Sequence, residues 1–339
     1  MIDAGHMTSL GDRPKQGRRE GATASYLLAV WGLFLLLAFL ITLFSILAPN
    51  TFPTLFTFKA MANARFVNLL IALAVMIPMA ARHYDMSAAS VLGISQMLAI
   101  GLQVHQGLGW GEAIAVVLLV GLLTGLVNGL LIVRCGIDSF IATLGIGTVL
   151  YGANLWYSGG TQIIGALPPE FTALSGFVPG TGIPIALLIG LAFTGLLWVI
   201  FEYHYIGRHL YVLGDNPKAA ELVGISYAKY TIGAFMASGL LASLAGIILQ
   251  AQLRTGESTV GSEFLLPAFT AVLLGATSVR PGRPNAIGTL LATASLAVVV
   301  AGLGQLGVPF FVEPLFNGAM LVGSVGLSVA VQRRRQRRK

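Results

Sequence analysis

Charged side chains are scarce in this chain: 10% of its 339 residues are Asp, Glu, Lys or Arg, whereas 56% are hydrophobic. A soluble domain carries roughly 25% charged residues, so the chain lacks the polar surface that water demands and is expected to lie in lipid. Cysteine occurs once, as Cys135, which excludes a disulfide within the chain and a cysteine-based metal site. It reads as a small apolar residue at a helix end. No Gly-Lys dipeptide occurs anywhere, and without one there is no G-x-x-x-x-G-K-[ST] loop to cradle phosphates. Hydrolysis of ATP by that route is excluded. The histidines His6, His83, His105, His204 and His209 form no His-Glu-x-x-His or other spaced ligand pair, and there is no Gly-x-Ser-x-Gly elbow. No metal site is expected, and a membrane-embedded enzyme would lack its catalytic constellation.

What the chain has instead is apolar length. A helix of about 20 apolar residues crosses the hydrocarbon core, where only structures that pair their own backbone groups persist. The runs are unbroken rather than alternating, which selects helices over a barrel. Ten segments stand out, at residues 26–48, 62–81, 87–104, 112–133, 139–158, 183–203, 231–253, 264–279, 285–304 and 311–331. The first follows a basic stretch with Arg13, Lys15, Arg18 and Arg19, is too long for a signal-peptide core and has no small-residue cleavage site after it, so it reads as a retained helix. The expected fold is all-α, a polytopic membrane protein of about ten transmembrane helices, with a cytoplasmic tail at 1–25, a transmembrane domain at 26–331 and a basic cytoplasmic tail at 332–339. Both termini are then cytoplasmic. This scheme puts 17 of the 20 Lys and Arg inside and leaves Lys59, Arg65 and Arg254 outside, as the positive-inside rule requires. The net charge of +7 and the terminal Arg333-Arg-Arg-Gln-Arg-Arg-Lys339 therefore point to membrane lipid headgroups as partners, not to nucleic acid.

Ionisable groups at membrane depth are costly and mark pathways by default. Arg82-His-Tyr-Asp85-Met-Ser87 interrupts an apolar stretch that runs from Phe66 to Val104. Two readings stay open: a plain cytoplasmic turn, or polar backbone lining a cavity as in broken transporter helices. Pro78 frees a helix hydrogen bond just upstream and favours irregularity. Asp85 and Ser87 are candidates for a translocation pathway, and so are Asn128 and Asn154, amides in apolar segments that must find partners. For both amides, bonding between helices is favoured over solute contact. Trp156, near the outer mouth, fits the interfacial aromatic belt and could also stack against a sugar ring. Gly121, Gly125 and Gly129 share one helix face, where small residues let backbones approach. Packing within the chain is the plain reading of that stripe, a subunit interface the sharper one. The outer loops at 159–182 and 254–263 are either connections or surfaces for an external partner.

The polar loop at 207–230 lies between two apolar segments. Asn216 followed by Pro217 is a helix N-cap with proline at the first helical position, and Gly224 ends the turn. Lys218 to Val223 is expected to form a short helix, with Ala219 and Ala220 offering a small surface framed by Lys218 and Glu221. A helix this short is not stable alone, so it is either an amphipathic linker on the membrane or a socket for a partner.

Leu213-Gly-Asp-Asn-Pro-Lys-Ala-Ala-Glu-Leu-Val-Gly-Ile225 resembles the coupling loop of the ribose-type permeases of ATP-binding-cassette (ABC) importers. Gly125-Leu-Val-Asn-Gly-Leu-Leu-Ile132, Phe140-Ile-Ala-Thr-Leu-Gly145, Gly159-Gly160, Ala271-Val-Leu-Leu-Gly-Ala-Thr-Ser278, Gly282-Arg283 and Gly288-Thr289 are similar to further blocks of that family, so the likeness spans nearly the whole chain. One departure is clear. The family usually reads Gly-Gly-Ile-Asp-Leu-Ser-Val-Gly where this chain has Arg82-His83-Tyr84-Asp85-Met86-Ser87-Ala88-Ala89, so Asp85 and Ser87 carry over but three glycines do not. The resemblance implies a multi-pass permease subunit of the bacterial inner membrane that imports a monosaccharide or related polyol. It implies a second permease copy, identical or not, an external solute-binding protein, and ABC ATPase subunits that hold ATP and Mg, with no cofactor in this chain. Gly214, Asn216, Pro217, Ala219, Ala220, Glu221, Gly224 and Ile225 would couple it to the ATPase. The rival is an ion-coupled secondary transporter, which needs intramembrane carboxylates or broken helices; Asp85 is its one plausible example.

Overall fold

The computed structural model describes residues 17–309 and 311–336. Residues 1–16 of the expected first tail and 337–339 of the basic tail lie outside the described residues. The order is α1 (Gly17–Leu47), α2 (Leu55–Ala80), α3 (Ala88–Val104), α4 (Trp110–Arg134), α5 (Ser139–Ser158), β1 (Ile163–Ile164), α6 (Pro169–Thr172) and α7 (Ile185–Glu202). Then follow α8 (Tyr205–Asp215), α9 (Pro217–Leu222), α10 (Tyr227–Leu253), β2 (Thr255–Gly256), α11 (Ser262–Gly275), α12 (Ala286–Gln305) and α13 (Val312–Gln336). Every one of the ten expected segments is helical. Among the described residues, seven helices are long and apolar enough to cross a membrane: α2, α4, α5, α7, α10, α12 and α1 from Val30 onward. The chain is an all-α polytopic membrane protein. Ten crossings would require α3, α11 and α13 to span as well, and α3 and α11 have only 17 and 14 residues.

Two boundaries differ from expectation for local reasons. α2 begins at Leu55, because the Thr54 hydroxyl accepts the Thr57 N–H at 3.1 Å and caps the helix early. Lys59 and Arg65 thus belong to a helix, and Arg65 pairs with Glu313 of α13 at 2.7 Å. The 207–230 loop is also mostly helical. Before the expected short helix stands α8, started by the His204 ring accepting the Ile206 N–H, with Leu210, Tyr211 and Leu213 buried on one face and Arg208, Val212 and Asp215 exposed on the other.

The core forms around α2 and α10, which α3, α4 and α11 flank. α2 is buried along its second half, from Leu69 to Ala80. In lipid there is no hydrophobic drive between helices, so close backbone approach and van der Waals packing take its place. The glycine stripe of α4 supplies that approach within the chain: Gly121 faces Gly239 and Ser243, Gly125 faces Phe235 and Met236, and Gly129 faces Ile232, all of α10. The two ends of the bundle differ. One carries the antiparallel β1–β2 pair, α6 and the loop where Lys59 Nζ donates to the Thr181 carbonyl at 3.0 Å. The opposite end carries α8, α9, the 81–87 turn and the 276–285 loop, with Arg82, Lys218, Arg280 and Arg283.

Candidate functional site

The 81–87 turn buries Asp85 and Ser87 and leaves Arg82 and Tyr84 exposed. α2 ends in a Schellman pattern, with the Arg82 N–H donating to the Met79 carbonyl and the His83 N–H to that of Pro78, both at 3.0 Å. The residue that must turn left-handed in this motif is Arg82, with φ +60°. The backbone therefore keeps a glycine-type shape at a position where the resembled pattern has glycine. Asp85 is 1% exposed. Its Oδ1 accepts the Ser87 N–H at 3.0 Å and the Ser87 hydroxyl at 2.6 Å, and its Oδ2 accepts the Ser238 hydroxyl of α10 at 2.7 Å. Asn128 of α4 donates to Ser87 Oγ at 2.8 Å. On the other side, the Met86 N–H reaches Thr143 Oγ1 of α5 at 2.9 Å and the Tyr84 N–H reaches Ser139 Oγ at 3.2 Å. Asp85, Ser87 and Asn128 thus help tie the turn to three helices. Replacing Asp85 by alanine should leave the Ser238 and Ser87 donors unpaired and lower stability by about 1–3 kcal/mol. Thermal melting of the purified protein checks this, with Asp85→Asn, which keeps one acceptor, falling between; an unchanged melt in Asp85→Ala would remove the network's structural role.

Beside this turn lies an open cleft of about 360 Å³ between α3, α5 and the approach to α11. Met86, Ser90 and Gly93 form one wall, Leu144, Thr148, Tyr151 and Asn154 a second, and Thr259, Ser262 and Leu265 a third. None of its lining side chains is charged. Gly261, at φ +134°, lets this third wall press on α3, where a Cβ would come 2.6 Å from the Ala89 carbonyl. Of the five expected pathway residues only Asn154 lines the cleft. Its Nδ2 donates to the Ser258 carbonyl at 2.9 Å, and its buried Oδ1 has no partner among the described residues. Asp85, Ser87 and Asn128 are sealed in the network beneath. Trp156, two residues beyond Asn154 and so on the far side of α5, is 84% exposed and does not reach the cleft. Thr148 and Tyr151 line the cleft without being among the expected pathway residues, although they precede Asn154 at the three-residue spacing of one helix face.

At the α8–α9 end, Asn216 Oδ1 accepts the Ala219 N–H at 3.1 Å, Pro217 is the first helical residue, and Gly224 turns the chain out at φ +83° while the Ile225 N–H closes on the Ala220 carbonyl at 3.0 Å. The expected short helix forms one residue earlier than placed. Of the two alanines expected to face a partner, Ala219 is exposed but Ala220 is fully buried, because α9 rests that face on α8 and α10. The large apolar side chains exposed at its C-terminal end are Leu222 (89%) and the capping Val223 (73%). Asn216→Ala should cost about 1 kcal/mol of local stability, seen as faster amide hydrogen exchange confined to 218–223; unchanged protection there would argue against the cap. Behind α9, the platform is braced to the 276–285 loop. The Tyr211 hydroxyl donates to the Pro284 carbonyl at 2.6 Å, Arg283 binds Asp215 at 2.6 Å and lies over the Tyr211 ring, and Arg280 pairs with Glu202. Burial pushes the Tyr211 phenol up to about 12, even against the nearby cations Arg280 and Arg283. It remains a hydrogen-bond donor throughout the physiological range.

These features, several apolar spans around an uncharged cleft and a braced helical platform at one end, define a membrane transport subunit. A family model described as "Branched-chain amino acid transport system / permease component" matches residues 58–325. The chain belongs to this permease family. It is 30% identical to the ribose import permease protein RbsC of Escherichia coli (strain K12) over 326 residues, covering 94% of this chain and 98% of that protein. It is 33% identical to the RbsC of Bacillus subtilis (strain 168), covering 87% and 91%. It is 32% identical to the autoinducer 2 import system permease protein LsrD of Enterobacter sp. (strain 638), covering 74% and 77%. No solved structure matches significantly. With its family and its relatives, the chain is a multi-pass permease subunit of a sugar ABC importer.

Proposed function

We propose that this chain is the pathway-forming permease of a bacterial ABC importer, set in the inner membrane with the α8–α9 end in the cytoplasm, and that its solute is a monosaccharide or related polyol. The family description speaks of amino acids and the relatives' names of ribose and autoinducer 2. The observation that supports the sugar reading is the cleft. Ser90, Thr148, Tyr151, Asn154, Thr259 and Ser262 offer it hydroxyls and an amide but no charge. A zwitterionic amino acid would leave its ammonium and carboxylate unpaired there, at large cost, whereas a neutral polyhydroxylated solute exchanges hydrogen bonds with such a lining.

The cleft is one half of a pathway that a second permease copy would close, and the exposed apolar face of α5, with Ile141, Leu144 and Val149, supports such a neighbour. ATPase subunits holding ATP and Mg would dock on α9, and an external binding protein would deliver solute at the β1–β2 end. An ion-coupled carrier is disfavoured, since Asp85, its one candidate carboxylate, is locked by three donors away from the cleft. Proteoliposomes with the assembled importer test the reading. Ribose uptake should need ATP and binding protein and survive collapse of the proton gradient. Uptake that follows the gradient without ATP would overturn it.

A further inference from the structure

We propose that the 81–87 turn is the joint through which α9 moves the cleft, and that Asp215 is the positioning residue that fastens α8 to this joint; the inference rests on the importer reading above. α9 and α8 are nearly continuous, sharing Asn216 as the end of one and the cap of the other. Where α8 ends, its backbone presses directly on the end of α2: a Cβ on Gly214 would stand 2.5 Å from the Ala80 carbonyl oxygen and 3.2 Å from Ala81 Cα. No side chain cushions that contact. The next residue, Asp215, holds Arg283 at 2.6 Å and stands 3.9 Å from Arg82, the residue whose left-handed backbone starts the turn. A displacement of α9 therefore reaches the turn by backbone contact and is kept in register by charge.

From the turn the displacement meets hydrogen bonds to three helices. Asp85 and Ser87 are bonded to α10 and α4, and Tyr84 and Met86 to α5, while Met86 itself lines the cleft. α5 supplies the cleft wall with Asn154. Two of the three walls thus hang on the segment that α8 pushes. The Asp215 pairs are half exposed toward Arg283 and more than half toward Arg82, so they add little static stability, which makes them separable from folding.

The test uses the full importer, permease with its ATPase and binding-protein subunits, in proteoliposomes, and reads solute imported per ATP hydrolysed. Asp215→Asn and Arg82→Gly are each expected to keep the ATPase bound and basal hydrolysis unchanged while lowering that ratio about fivefold or more, the low end of coupling between sites. The double variant should be no worse than the poorer single one, as for residues acting as a unit. Arg82→Gly should also melt at or above wild type, because glycine relaxes the left-handed backbone, so that lost coupling is not lost stability. An unchanged ratio in both single variants overturns the proposal, and so does release of the ATPase by Asp215→Asn, which would place Asp215 in the docking face. A wild-type importer without ATP-dependent uptake overturns the importer reading and the joint with it.

Discussion

Replacing both Leu222 and Val223 by lysine is expected to release the ATPase subunits from the purified importer and to cut ATP-dependent uptake about a hundredfold or more. These side chains are 89% and 73% exposed, so the permease loses no packing of its own when they change. Lysine has nearly the helix propensity of leucine, and a cation at a helix C-terminus interacts favourably with the helix dipole. α9 should therefore survive. Burial of a leucine or valine side chain contributes about 1.5–3 kcal/mol, and two lysine charges pressed into the same apolar contact would cost more. Co-purification of the ATPase and vesicle uptake measure the effect, with melting of the isolated permease as the control. A complex that stays intact and transports normally would move the docking face off α9. Ala220→Asp, although it lies in the same segment, cannot make this distinction. Ala220 is wholly buried, so a carboxylate there would disrupt α9 whether or not a partner docks.

The spans were legible because lipid leaves a helix no alternative: each crossing must be an unbroken apolar run, and composition alone shows it. α8 was not, because outside the membrane its burial is one-sided and its polar face breaks the apolar run that marks a span. The cap at Asn216 and the exit at Gly224 could be read, since both are local backbone chemistry. Which face α9 turns inward could not, because six residues have no orientation until α8 and α10 receive them. The same limit applies to Asp85. Its own turn was visible, but the hydroxyl that holds Oδ2 comes from Ser238, 153 residues later. Loss of the family's glycine at position 82 also misleads on its own, since Arg82 adopts the glycine conformation regardless.

Gly125→Leu is expected to abolish the folded permease, a larger effect on stability than removal of the Asp85 carboxylate or the Asn216 cap. The position faces the Phe235 carbonyl, and an added Cβ would lie 2.6 Å from Met236 Cα. Both obstacles are backbone, which cannot rotate away as a side chain can. Even alanine forces α4 and α10 apart, and because Gly121 and Gly129 meet α10 on the same face, the separation propagates along the whole contact. Overpacking of a core costs about 1–3 kcal/mol where side chains can adjust, and here they cannot. The separation would also stretch the Asn128 to Ser87 bond one turn away, and with it the network around Asp85. Gly233, also on α10, provides the control, since a Cβ added there would meet nothing within 4 Å. Gly233→Ala should be neutral or stabilise by up to about 1 kcal/mol, the helix-propensity gain of alanine over glycine. Melting temperature and monodispersity in detergent read both variants. Gly125→Ala melting like wild type would mean that the α4–α10 approach is looser than the backbone contacts require.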